Sequence, residues 1–151
     1  MQLYTLGMDI ADDLLRLITG AHTLTRIASL ETRNEAPAAQ WRTLSLLSTH
    51  GPQRLGELAR LSRVSQPGMT RLTSHMVDAG LLSRNPDPAD YRASVLSITD
   101  AGARALKEWH DLLGATIAPR FHDLDDADRA AIRRAADILI NATHDSTEAH
   151  R

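Results

Sequence analysis

Between positions 65 and 75 the chain carries Ser65, Gln66, Pro67, Thr70, Arg71, Ser74 and His75, side chains suited to hydrogen bonding rather than to bond making or breaking. At helical spacing Gln66, Pro67, Thr70, Arg71 and Ser74 fall on one side, with His75 beside the last, while Met69, Leu72 and Met76 fall on the other. The chemistry open to the polar side is recognition of a base edge or a phosphate. A carboxamide pairs bidentately with adenine and a guanidinium with guanine, and hydroxyl and proline groups can touch phosphate or a thymine methyl. Further on, Arg84, Asp90 and Arg92 flank the turn-forming run Asp87-Pro88-Ala89-Asp90. An arginine near such a tip can enter a narrow minor groove, where negative potential is enhanced. A carboxylate near DNA is repelled unless paired, so Asp90 is expected to orient Arg92 rather than to touch the duplex. Ser65, Gln66, Pro67, Thr70, Arg71, Ser74, His75, Arg84, Asp90 and Arg92 are thus the candidate DNA-binding residues.

These groups need two positioning elements, a helix and a hairpin. Leu55, Leu58 and Ala59 mark the buried stripe of a first helix, Ser65 is placed to cap a second, and Pro67 sits in its first turn, where a missing N–H is harmless. Gly68 weakens the start of that second helix by roughly 1 kcal/mol relative to alanine, and Ala79-Gly80 ends it. A strand over Leu81-Leu82-Ser83-Arg84 then runs through the Pro/Asp-rich tip to a return strand over Val95–Thr99, whose residues alternate between two faces. Gln53-Arg54 is a candidate short strand pairing with this wing. Helix, tight turn, helix and β-wing in this order is a winged helix-turn-helix. The expected fold class is mainly α with a small β-wing (α+β).

Apolar residues at three-to-four spacing predict a long helix from about Met8 to Leu30, broken at Asn34-Glu35-Ala36-Pro37, with Pro37 in the first turn of the next. Trp41, Leu44, Leu46 and Leu47 line that helix up to His50-Gly51-Pro52. After the wing, Asp100 opens a helix through Leu106, Trp109, Leu112, Leu113 and Ile117, which Pro119 interrupts. A last helix follows, with an acidic first turn at Asp125-Asp126-Asp128 and an apolar face of Ile132, Ala135, Ala136, Leu139 and Ile140. The winged core does not need that much terminal apolar helix, so these segments point to a second chain. The expected organisation is one domain over residues 1–151, with the winged helix-turn-helix at about 37–99 and dimerisation helices at about 6–33 and 100–146.

Composition narrows the class. The chain has 151 residues, 42% of them hydrophobic, and no cysteine, which excludes disulfides and thiol redox sensing. The net charge of −2 hides a split: residues 51–99 hold six arginines against four carboxylates, whereas both flanks are acidic on balance. Such a split favours oriented docking over coating of a polyanion. No run approaches the roughly 20 apolar residues of a membrane span, and Met1-Gln2-Leu3-Tyr4 lacks the basic start of a signal peptide, so a cytoplasmic location is expected. The seven histidines show no His-x-x-His or His-Glu-x-x-His spacing, so no metal site is expected. Nor is there a nucleophile elbow, a phosphate-cradling glycine loop or a carboxylate pair in an apolar setting, so neither an enzyme nor a cofactor is expected.

The series Gln40-Trp41-Arg42 with Leu44, Gly51-Pro52, Glu57-Leu58-Ala59, Val64-Ser65-Gln66-Pro67, Met69-Thr70-Arg71-Leu72, Ala79-Gly80-Leu81, Asp90 and Arg92, Thr99 and Ala101-Gly102 resembles the multiple antibiotic resistance regulator (MarR) family over nearly the whole length. The resemblance implies a transcriptional regulator, an obligate homodimer on a pseudo-palindromic operator in double-stranded DNA, usually a repressor released by a small molecule. Tyr91 departs from it, standing where many relatives carry a further arginine. By analogy with the family's effector pockets, His22, Arg26 and Trp41 are candidate ligand-binding residues. His22 and Arg26, one helical turn apart, suit an anionic aromatic effector. The alternative reading is a winged-helix protein-interaction module without sequence-specific DNA binding.

Overall fold

The computed structural model describes residues 9–33 and 36–148. Met8 and the Asn34-Glu35 part of the predicted helix break lie outside the described residues. The elements are α1 (Ile10–Glu31), α2 (Ala38–His50), β1 (Gln53–Arg54), α3 (Leu55–Ser62), α4 (Gln66–Asp78), β2 (Leu82–Asp87), β3 (Asp90–Ile98), α5 (Asp100–Ile117), a 3-10 turn (Ala118–Phe121) and α6 (Asp126–Glu148). The protein is mainly helical with one small antiparallel sheet. It falls into two compact units that divide between Thr116 and Ile117.

In the first unit the core is built where α2, α3 and α4 turn their apolar stripes toward the sheet. Leu44, Leu47, Leu58, Met69, Met76, Leu82 and Leu96 are each at most 2% exposed, with Ala59 and Leu106 beside them. Full burial of one such side chain stabilises by about 1.5–3 kcal/mol, so this cluster fixes how α4 is held. Thr73, on the buried side of α4, is fully enclosed, and its hydroxyl donates to the Met69 carbonyl at 2.9 Å. A buried hydroxyl without that bond would be costly.

Three helix starts in the first unit are capped by side chains. Asp9 accepts from the Ala11 N–H, Ser65 from the Gly68 N–H and Thr99 from the Gly102 N–H. Pro37 stands just before α2 as its cap residue, one place earlier than the sequence suggested, and offers no side-chain hydrogen bond. The turn between α3 and α4 passes through Arg63 in the left-handed region (φ 53°), which lets the Val64 N–H reach the Ala59 carbonyl.

The sheet runs in the order β1-β3-β2. Gln53 pairs with Leu96 and Arg54 with Val95 on one side of β3, and Leu82 pairs with Ile98 on the other. The wing strands are longer than the sequence reading, because Asn85 and Pro86, which look like turn residues, continue β2. The register slips only between Pro86 and Asp87. A proline is tolerated there because β2 is an edge strand and the missing N–H need not meet a partner.

Along α1 the large apolar residues Ile10, Leu14, Leu15, Leu17 and Ile18 are exposed, and Ala28 alone is buried. The second unit begins with the 3-10 turn at Pro119. Asp125 accepts from the Asp128 N–H at 2.8 Å to start α6, and Arg129 reaches back to the carbonyls of Leu124 and His122. On α6, Ile132, Ile138, Leu139 and Ile140 are exposed. No helix among the described residues is long and apolar enough to cross a membrane.

Candidate nucleic-acid interface

The exposed polar face is set by the way α4 is locked at both ends. At its start Ser65 Oγ accepts from the Gly68 N–H at 3.2 Å. A Cβ on Gly68 would lie 3.1 Å from both Ser65 Oγ and Val64 Cγ1. The glycine therefore does more than weaken the helix start: it leaves the space in which the cap closes. At the other end Gly80, at φ 74°, carries the chain out of the helix, and the Leu81 N–H bonds to the Met76 carbonyl.

With Met69, Thr73 and Met76 buried, Gln66, Pro67, Thr70, Arg71, Ser74 and His75 are all turned to solvent along one helix. The first turn of α4 contains no carboxylate, so the positive end of its dipole is available to an anion. Two of the candidate hydroxyls already have local work. Ser65 is committed to its cap, and Thr70 Oγ1 donates to the Gln66 carbonyl at 2.9 Å, leaving its methyl and an acceptor lone pair for a partner. On α3, Arg60 pairs with Glu57, which holds that carboxyl below its ordinary range chiefly through the hydrogen bond. Its guanidinium is thereby occupied within the helix.

Arg84, Asp90 and Arg92 sit on the wing as a separate exposed group. Asp90 Oδ1 accepts from the Arg92 main-chain N–H at 3.0 Å, so its hold on Arg92 is through the backbone of the turn. The Arg92 guanidinium lies 5.9 Å from the centre of the Tyr91 ring, within cation–π range. Tyr91 itself is 81% exposed.

The sequence reading missed the group that anchors this wing. Asp87, 8% exposed, accepts from Arg54 Nε at 2.6 Å through Oδ2 and from the Ala89 N–H at 2.8 Å through Oδ1. The Ala89 N–H first and the Arg54 guanidinium second hold the Asp87 carboxyl below the usual carboxylate range. The Asp-Pro-Ala turn was a sign that Asp87 would bond two residues on, but nothing local marked Arg54 as its partner. A second missed node is Thr99. Its hydroxyl donates to the Gly80 carbonyl at 2.6 Å and accepts from the Gly102 N–H at 3.0 Å, tying the end of α4 to the start of α5.

Of the candidate ligand-binding residues, His22 and Arg26 are exposed on α1. Trp41 stacks on Trp109, centroids 5.3 Å apart and planes at 14°, and its buried Nε1–H has no hydrogen-bond partner among the described residues. No group of three or more potential metal-ligating side chains occurs among the described residues.

A capped helix presenting polar side chains beside a β-wing defines the class: a winged helix-turn-helix DNA-binding transcriptional regulator, a non-enzymatic protein. The MarR family model matches residues 37–94. An HTH-type transcriptional regulator of Mycobacterium bovis is 31% identical over 108 residues, covering 72% of this chain and 76% of the relative. A transcriptional regulator from Thermotoga maritima has a similar structure, with TM-score 0.69 and 26% identity over 91% of this chain and 96% of its own. Bordetella bronchiseptica BpsR, whose DNA binding is regulated by 6-hydroxynicotinic acid, shares the fold at TM-score 0.55 and 20% identity, over 91% of this chain and 97% of its own. The chain belongs to the MarR family.

Proposed function

We propose that this protein is a ligand-responsive repressor that binds a pseudo-palindromic operator as a homodimer. The observation that carries the reading is the solvent-facing set Gln66, Thr70, Arg71 and Ser74 on a helix whose other side is locked into the core. In this reading Gln66, Arg71 and Ser74 make base and phosphate contacts, Ser65 holds the helix start, Pro67, Thr70 and His75 add contacts along the same face, and Arg84 and Arg92 contact the flanking backbone and minor groove. The apolar residues left exposed on α1 and on α6 favour a dimer, since uncovered surface of that kind marks interaction sites. Two-fold symmetry would place recognition helices one DNA turn apart, about 34–36 Å. A regulator of this kind works beside DNA, in the cytoplasm.

The effector part rests on His22, Arg26 and Trp41, whose buried Nε1–H lacks a hydrogen-bond partner among the described residues. An anionic aromatic molecule fits such a set, and the 6-hydroxynicotinic acid response of BpsR is a precedent. An effector acts only through its preference for one arrangement of the two reading heads.

Selection of bound sequences from a random duplex pool, repeated at two salt concentrations, tests the main claim. An enriched inverted repeat with half-sites about 10 bp apart is expected. No enrichment would favour a protein-interaction module instead, and salt-sensitive binding with no motif a non-specific architectural role. For the effector, thermal stabilisation by 6-hydroxynicotinic acid or benzoate that is unchanged in His22→Ala would remove His22 from the site.

A further inference from the structure

Gln66 opens α4, and its side chain reaches back to the first turn of α3. A Cβ built on Gly56 would stand 2.9 Å from Gln66 Nε2, closer than a carbon and a nitrogen remain in ordinary contact. The group that would have to yield is the far end of a flexible, exposed side chain, not backbone. The fold therefore has no need of a glycine at this position. The helix itself prefers alanine to glycine, so Gly56 works against the stability of α3, and the space it leaves is occupied by the Gln66 carboxamide.

We propose that Gly56 is a positioning residue for sequence recognition. With no Cβ at position 56, the Gln66 carboxamide lies against α3, and that sets the direction from which it meets a base edge. The inference rests on the proposed function, in which Gln66 reads a base. Bidentate pairing needs the amide N and O aligned with one base edge, so a sideways displacement changes which base is preferred while the other contacts of α4 stay in place. Outside the neighbouring backbone of α3, Gln66 Nε2 is the atom that a Cβ at position 56 meets within 4 Å, so Thr70, Arg71 and Ser74 would feel the substitution through Gln66.

The test is sequence selection from a random duplex pool with the full-length wild type, Gly56→Ala, Gln66→Ala and the double variant, alongside thermal melts of each. Gln66→Ala is expected to flatten the preference at one base-pair position per half-site, with a loss of about tenfold on the selected operator. Gly56→Ala should alter the preference at that same position and no other, while melting at or above the wild-type temperature. The double variant should match Gln66→Ala. Gly56→Ala that keeps the wild-type preference overturns the inference, as does a change at positions insensitive to Gln66→Ala or a further loss in the Gln66→Ala background. If Gln66→Ala changes no position of an otherwise clear motif, Gln66 is not a reader and the inference fails alone. If the wild type enriches no motif, the proposed function fails and this inference with it.

Discussion

Replacing Gly102 by alanine should destabilise the protein far more than its place near the start of a helix suggests. A Cβ at this position would lie 2.2 Å from the Leu81 carbonyl oxygen, 2.9 Å from Ile98 Cγ1 and 3.1 Å from the Leu81 carbonyl carbon. Carbon–oxygen contacts of this kind settle at about 3.3 Å or more, so the α5 start and the Leu81 peptide must part by about 1 Å. That peptide is not free to move: its carbonyl accepts from the Thr99 N–H at 3.1 Å, and the adjacent Gly80 carbonyl accepts from the Thr99 hydroxyl. Overpacking against backbone falls at the upper end of about 1–3 kcal/mol. Weakening the two Thr99 bonds adds about 1 kcal/mol each, and the better helix propensity of alanine returns about 1 kcal/mol. The net loss is about 3–4 kcal/mol, or roughly 10 °C in melting temperature for a chain of this length. The assay is thermal unfolding by circular dichroism at matched protein concentration, since association would link stability to concentration. A Gly102→Ala variant melting within about 2 °C of wild type would refute the reasoning, because helix propensity would then outweigh the close approach.

Ser65→Ala should cost about 1 kcal/mol through loss of the α4 cap, with Ser65→Asp keeping most of it; equal melting temperatures for wild type and Ser65→Ala would count against the cap. Because folding lowers the Asp87 pKa, its contribution is full above the unfolded carboxylate value of about 3.9 and fades as pH falls through the folded value. Asp87→Asn should therefore melt below wild type at pH 5–7, with the gap narrowing progressively as pH falls below the unfolded value, and a gap that does not change with pH would disprove the linkage. Arg71→Ala should cost about 1–3 kcal/mol in operator binding and relax one position, measured by titration against single-base variants, whereas uniform weakening would make Arg71 a phosphate contact. Arg92→Ala should weaken binding mostly where the flanks are A/T-rich, and an equal loss on G/C-rich flanks would remove the minor-groove contact.

Much of the scaffold was legible because its signals are local. The Ser65 and Pro67 pair, Gly80, and the spacing of Met69, Leu72 and Met76 each act within a turn or two, and together they marked which side of α4 faces solvent. The Gln53-Arg54 strand followed from its place ahead of a first helix. What escaped the sequence depends on groups that meet only after folding. Arg54 and Asp87 are 33 positions apart, and Trp41 and Trp109 approach from separate helices. Asn85-Pro86 fell in the tip and not in the strand because sequence does not reveal that β2 is an edge strand, where a proline is tolerated. Gly68 and Gly102 were visible as glycines, but the reason for each is the atom that occupies the space where a side chain would be.

In the proposed function the wing stands out in water to meet a duplex, and that makes β2 a hazard as well as a tool. Among the described residues it pairs only with β3, so its outer side offers unpaired backbone groups to any other extended chain. Pro86 contributes no donor to that side, Arg84 places a charge along the strand, and the slip at Asp87 ends the regular ladder before the tip. The same irregularities that shape the wing therefore also keep it from joining strands with its neighbours, so an exposed wing need not also be an edge for aggregation.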